Sequence, residues 1–255
     1  MQVAKPLLSY SLCFILINVD DLIASNLRRL RRQIDILAQE CGRRPSEIDV
    51  LAVTKTWPAE TVDVAARTGQ RLFGENRVQE AQEKRSLVQT QSLKWHLIGH
   101  LQSNKAGRAA ELFEVIETVD REAVAGKLSQ AATRLQKRLS VFIQVNVGGE
   151  PQKSGVAVYG LPALARAVAG MDFLELVGLM AIPPFHPEAE RSRPYFHRLH
   201  QLQQDLNGFL ASPLHQLSMG MSHDFPVAIQ EGATLVRVGT RIFGPRRESR
   251  AAEGA

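Results

Sequence analysis

The chain has 255 residues and a mass of 28.2 kDa; 44% of it is hydrophobic and 22% charged, with 31 basic against 26 acidic residues for a net charge of +5. So ordinary a composition excludes disordered and fibrous classes and suits one large globular domain. Two cysteines, Cys13 and Cys41, cannot build a disulfide framework or a self-contained zinc site, and they point to a reducing cytoplasm.

Residues 1–20 read as a poorly ordered extension. The apolar run from Leu12 to Val19 is too short to span a bilayer. Asp20 and Asp21 follow it where a secretory signal would carry small residues for cleavage. No membrane association is expected. Leu22, Ile23, Leu27, Leu30, Ile34 and Leu37 then recur at helical spacing. Arg28, Arg29, Arg31 and Arg32 give this helix a basic solvated face. No recognised nucleic-acid motif accompanies them, so no nucleic-acid partner is expected.

From Asp49 onward, short apolar runs alternate with helical segments. Strands are expected at 50–53, 71–74, 95–98, 115–119, 141–145, 174–180, 216–218 and 235–239. Helices are expected at 58–68, 78–88, from about 104, and at 121–138, 161–169, 193–209 and 225–231. Eight strand–helix units in this length predict an α/β fold, a single (β/α)8 TIM barrel over residues 21–245 with an extra N-terminal helix. An open doubly wound sheet is the alternative. It is disfavoured because no G-x-G-x-x-G follows the first strand and no Walker A sequence occurs. Residues 246–255 read as a disordered tail.

Active sites of parallel barrels lie at the C-terminal strand ends. Lys55 sits there in Leu51–Thr56. Partial desolvation would expose a nucleophilic amine suited to a Schiff base; a solvated lysine just past a strand is the plainer reading. Gly220, between Ser218 and Ser222, follows the seventh strand, and Gly239 and Thr240 follow the eighth. Such loops can cradle a phosphate with backbone N–H groups and hydroxyls; two ordinary turns with capping serines are the alternative. Arg237 shares a strand face with Leu235 and Gly239. If that face is the barrel interior, its guanidinium must be paired or meet a ligand; otherwise it faces the helices. Asn76 and His100 are candidate pocket groups, and His96 reads as a satisfied wall residue. The remaining histidines lack metal-ligand spacing, so no metal is expected.

Together these segments resemble the pyridoxal phosphate homeostasis protein family. The matching stretches are Leu51–Thr56 (LAVTKT), Phe73–Asn76 (FGEN), Trp95–Lys105 (WHLIGHLQSNK), Gly178–Ile182 (GLMAI), Leu217–Ser222 (LSMGMS) and Val236–Gly244 (VRVGTRIFG). The resemblance implies a barrel like the N-terminal domain of alanine racemase, with pyridoxal 5′-phosphate (PLP) on Lys55. It implies Ser222, Gly239 and Thr240 at the phosphate, Arg237 facing the pyridine nitrogen and Asn76 near the ring. Ser218, Met219 and His100 would form pocket wall. His223 departs from the family pattern, in which a small or acidic residue is more common, and the N-terminal extension is unlike the family.

The function implied is intracellular PLP homeostasis: a monomeric carrier that holds PLP and passes it to apo-enzymes, with no catalytic residue assigned. An arginine opposite the ring nitrogen disfavours a proton there and weakens the ring as an electron sink. Racemisation also needs a second base, and Tyr10, Tyr159 and Tyr195 lie in no segment assigned to the site. A PLP-dependent racemase or lyase is the alternative. A lysine Schiff-base aldolase on the same barrel is a more distant one.

Overall fold

The computed structural model describes residues 19–150 and 152–245. The expected extension and tail lie outside the described residues, except Val19 and Asp20, which begin the first helix. That helix, α1 (Val19–Glu40), buries Ile23, Leu27, Leu30, Ile34 and Ala38, one apolar stripe three to four residues apart. Arg28, Arg29, Arg31 and Arg32 stay exposed, as their spacing predicts.

The barrel follows as β1 (Asp49–Val53), α2 (Ala59–Arg67), β2 (Leu72–Glu75), α3 (Val78–Leu87), β3 (Lys94–Leu97), α4 (Ala106–Leu112), β4 (Val115–Val119), α5 (Glu122–Leu135) and β5 (Leu139–Asn146). It continues with β6 (Val156–Ala157), α6 (Leu161–Ala169), β7 (Leu174–Met180), α7 (Arg193–Asn207), β8 (Gln216–Met221), α8 (Phe225–Gln230), β9 (Leu235–Val238) and α9 (Thr240–Phe243). All pairings are parallel, in the order β4-β3-β2-β1-β9-β8-β7-β5, and β4 pairs with β5 to close the ring. The eight-stranded barrel is thus as expected. Two-residue β6 lies outside it, paired only to the end of β5 (Val145 with Val156); so short a run carries no periodicity to read. Short β9 and β1 lie side by side, Leu51 opposite Arg237 and Ala52 opposite Val238.

Side chains divide by strand alternation. Leu51, Val115, Phe142, Met180 and Leu235 fill the inside of the barrel as a separate apolar cluster. Val50, Ala52, Phe73, Trp95, Ile116 and Val236 belong to the larger core under the helices. α1 packs across α2, α8 and α9, and Asn26 Nδ2 donates to the Ile242 carbonyl at 3.0 Å. The extra helix therefore covers the seam where the last barrel strand meets the first. No helix among the described residues is long and apolar enough to cross a membrane.

One boundary differs in a way that matters. The seventh barrel strand was expected to end at Ser218, but β8 runs to Met221. Gly220 is part of it, at φ +87°, where a Cβ would lie 2.5 Å from the Ala228 Cβ. This glycine allows α8 to lie close against β8. The expectation that Gly220 heads a phosphate-cradling loop is corrected accordingly, and the turn begins only at Ser222.

Candidate functional site

Above the apolar cluster, the barrel interior becomes polar. Arg237 is buried and points inward from β9, on the face of Leu235. Its Nη1 donates to Ser218 Oγ at 2.6 Å and its Nη2 to the Ala181 carbonyl at 2.8 Å. The outward-facing alternative is thereby excluded. Ser218 Oγ in turn donates to Glu117 Oε2 at 2.6 Å. Glu117 Oε1 lies 2.7 Å from His96 Nδ1. A carboxylate only accepts, so His96 carries its proton on Nδ1. The series runs Arg237 to Ser218 to Glu117, met from the other side by His96, with every link buried. Burial pulls the Arg237 guanidinium below its ordinary value, opposed by the charges of Glu117 and Asp224.

Ser218 thus sits in the wall of the barrel, its hydroxyl committed to Glu117 and Arg237. Glu117 escaped the sequence reading. One acidic residue in Val115–Val119 looks like a solvent-side position on an edge. The available signal was its period-2 relation to Val115, which shares the inward face.

Lys55 follows β1 after Thr54 and is half-buried. Its loop rests on the neighbouring β9–α9 turn. Trp57 packs on Phe243 with ring centroids 5.8 Å apart. A Cβ on Gly239 would come within 3.2 Å of the Val53 carbonyl. The Gly239 N–H donates to Ser222 Oγ at 3.3 Å. Arg241 Nε donates to the Ser222 carbonyl at 2.7 Å and its guanidinium covers the Phe225 ring at 5.0 Å. Lys55, Ser222, Gly239 and Thr240 therefore share the seam between β8, β9 and β1, at the C-terminal strand ends. The N–H groups of Thr240 and Arg241 begin a helix and have no acceptor within it.

Asn76 follows β2, half-buried. Its carbonyl fixes the next strand end: a Cβ on Gly99 would lie 2.0 Å from that oxygen. Gly99→Ala is expected to displace one of the two loops and to lower stability by about 1–3 kcal/mol in chemical denaturation. A variant as stable as the parent would show that the loops move freely. His100 stands at the rim, Nδ1 3.5 Å from Ser154 Oγ and 3.7 Å from Asp120 Oδ2. His223 is exposed and lies against Phe185, ring centroids 5.9 Å apart. Among the described residues, no cluster of three or more His, Cys, Asp or Glu could hold a metal ion.

Comparison with known proteins gives the same barrel. The family model described as alanine racemase, N-terminal domain, matches residues 25–247. The pyridoxal phosphate homeostasis protein of Pseudomonas aeruginosa is 46% identical over 226 residues, 88% of this chain and 96% of its own. That of Escherichia coli strain K12 is 43% identical over 233 residues, 89% of this chain and 98% of its own. PipY of Synechococcus elongatus, solved with PLP bound, is 37% identical with a TM-score of 0.77, covering 87% of this chain and all (100%) of that one. An alanine racemase from Clostridium difficile, 14% identical with a TM-score of 0.68, covers 91% of this chain but 59% of that one; it shares the fold. The chain belongs to the pyridoxal phosphate homeostasis protein family, whose barrel is the alanine racemase N-terminal domain.

Proposed function

We propose that this protein binds PLP, holds it through Lys55 and releases it to other proteins, as an intracellular carrier. The observation that carries the reading is the seam between β1 and β9, where a lysine at a strand end adjoins Gly239, Thr240 and Ser222 with a buried arginine below. The relatives named for PLP homeostasis, and PipY with PLP bound, support the same ligand.

The donor set fits PLP. Lys55 carries a primary amine. A hydroxyl and the amides that open α9 suit a phosphate, and Gly239 leaves the room that a Cβ would fill. PLP when bound supplies an aldehyde that condenses reversibly with amines. Ser222, Gly239 and Thr240 would bind the phosphate, and Asn76 would border the ring. Arg237, a guanidinium held in place by Ser218 and Ala181, would face the pyridine nitrogen and disfavour a proton on it. Reversibility gives the release route, because an amine of a recipient protein competes with Lys55.

The same geometry favours carriage over catalysis. A racemase needs a second base opposite the lysine. Tyr159 is 92% exposed on a turn after β6. Tyr195, on α7, lines an outer hollow with Pro184, Phe185 and Arg191. Tyr10 lies outside the described residues. Incubation of the PLP-loaded protein with L-alanine is expected to give no D-alanine beyond that formed by free PLP; turnover above that background would make it an enzyme.

The deciding measurement is a visible spectrum of purified protein before and after borohydride, followed by peptide mass mapping. A band lost on reduction, with the pyridoxyl group on the Lys55 peptide, is the expected result. A protein that remains colourless and unmodified with added PLP would overturn the reading.

A further inference from the structure

We propose that Lys84, acting with Glu75 and Glu80, is a positioning residue for Lys55: it clamps both peptide groups that meet at the Lys55 Cα and thereby slows the exchange of whatever Lys55 holds. The inference rests on the assignment of Lys55 as the PLP-bearing residue and deepens it.

Lys84 lies on α3, with its side chain 5% exposed, and its ammonium faces outward-pointing groups of β1 and β2 rather than the barrel interior. Nζ donates to the Thr54 carbonyl at 2.7 Å, to Glu75 Oε1 at 2.5 Å and to Glu80 Oε1 at 3.2 Å. All three ammonium protons are thereby used. Thr54 Oγ1 also donates to Glu75 Oε1, at 2.7 Å. Glu80 Oε1 accepts the Thr56 N–H at 2.5 Å. The Thr54 carbonyl belongs to the peptide group before the Lys55 Cα, and the Thr56 N–H to the one after it. Peptide groups are planar, so holding both leaves the Lys55 φ and ψ little freedom and fixes the direction of its Cα–Cβ bond.

The backbone shows the constraint. Thr56 has φ +68°, a region that a β-branched residue rarely occupies unless its surroundings hold it there. The clamp is also costly for a merely structural contact. It buries an ammonium and a carboxylate, and Glu75 Oε2 has no hydrogen-bond partner. Buried ion pairs of this kind return little net stability. What this one accomplishes is local: it ties a single loop, from both sides of one lysine, to a helix outside the pocket.

Lys84→Met would strand the Glu75 charge in the core and could fail to fold. Glu80→Ala is the cleaner test, since it leaves the Lys84–Glu75 pair intact and removes a side chain only half-buried. In the full-length protein without PLP, amide hydrogen exchange at Thr56 is expected to accelerate about tenfold, the loss of one hydrogen bond. In the PLP-loaded protein, displacement from Lys55 by added methoxyamine, followed by absorbance, is expected to accelerate by about the same factor. Glu80→Gln, which keeps an acceptor oxygen, should restore both rates to within about twofold of the parent. Faster Thr56 exchange with unchanged displacement would overturn the clamp while leaving Lys55 as the anchor. Unchanged rates in both measurements would overturn it too. A parent protein with no linkage at Lys55 would overturn the anchor, and the clamp with it.

Discussion

Lys55→Ala is expected to abolish covalent attachment of PLP, with no pyridoxyl peptide after borohydride. The unfolding free energy should change by less than about 1 kcal/mol, since the residue follows the strand and is half-buried rather than core. The two outcomes separate because the barrel interior beneath Lys55 is completed by other groups: Leu51 in the apolar cluster, then the series from Arg237 to His96. The groups proposed for the phosphate, Ser222, Gly239 and Thr240, remain in this variant, so PLP should still bind reversibly but more weakly. Dialysis and denaturant unfolding read the two effects independently. A variant that retains the pyridoxyl group would move the anchor to another lysine. One that unfolds would assign Lys55 a structural role.

Glu117→Ala is expected to be the most destabilising single change at the site, by about 3–5 kcal/mol, because it leaves the buried Arg237 charge without its nearest counter-charge. Ser218 would also lose the acceptor of its only hydroxyl proton, and His96 its Nδ1 partner. Glu117→Gln keeps an oxygen in the layer, but only one end of the amide accepts. It should fall between the parent and the alanine variant. Denaturation midpoints of the three proteins, at constant m-value, test the order. Equal midpoints for parent and alanine variant would show that Arg237 does not need the carboxylate. Any change in the PLP spectrum of the glutamine variant would show that the layer communicates with the ligand through Arg237.

The barrel was legible because each strand is an apolar run and each helix has its own period, and their alternation admits few topologies. The site was legible in part. Lys55, Ser222, Gly239 and Thr240 could be named from their positions after strands, and Arg237 from its alternation with valines. What the sequence did not display was who partners whom. His96 reads from the sequence as a satisfied wall residue, but its partner Glu117, on the adjacent strand, looks like a stray polar residue until the ring closes and gives both the same interior. Lys84 was hidden differently. On charge-rich α3 it reads as one more solvated lysine, and its burial depends on Glu75 and Thr54 facing outward beneath that helix. Gly220 reads as loop from the sequence because a glycine near a strand end usually signals a turn. Here it lets a helix approach a strand that continues.

Because the seam lies between the first and last barrel strands, the proposed pocket forms only when β9 pairs with β1. During synthesis, Lys55 emerges with the first barrel strand and waits for β9, the last. Arg237, Gly239 and Thr240 do not exist for it until the other barrel strands have been made. A truncated or half-finished chain would carry the lysine but not its surroundings, and would compete for the aldehyde no better than any exposed amine. On the proposed assignment of Lys55, acquisition of PLP would mark a closed ring, and loading would follow assembly rather than guide it.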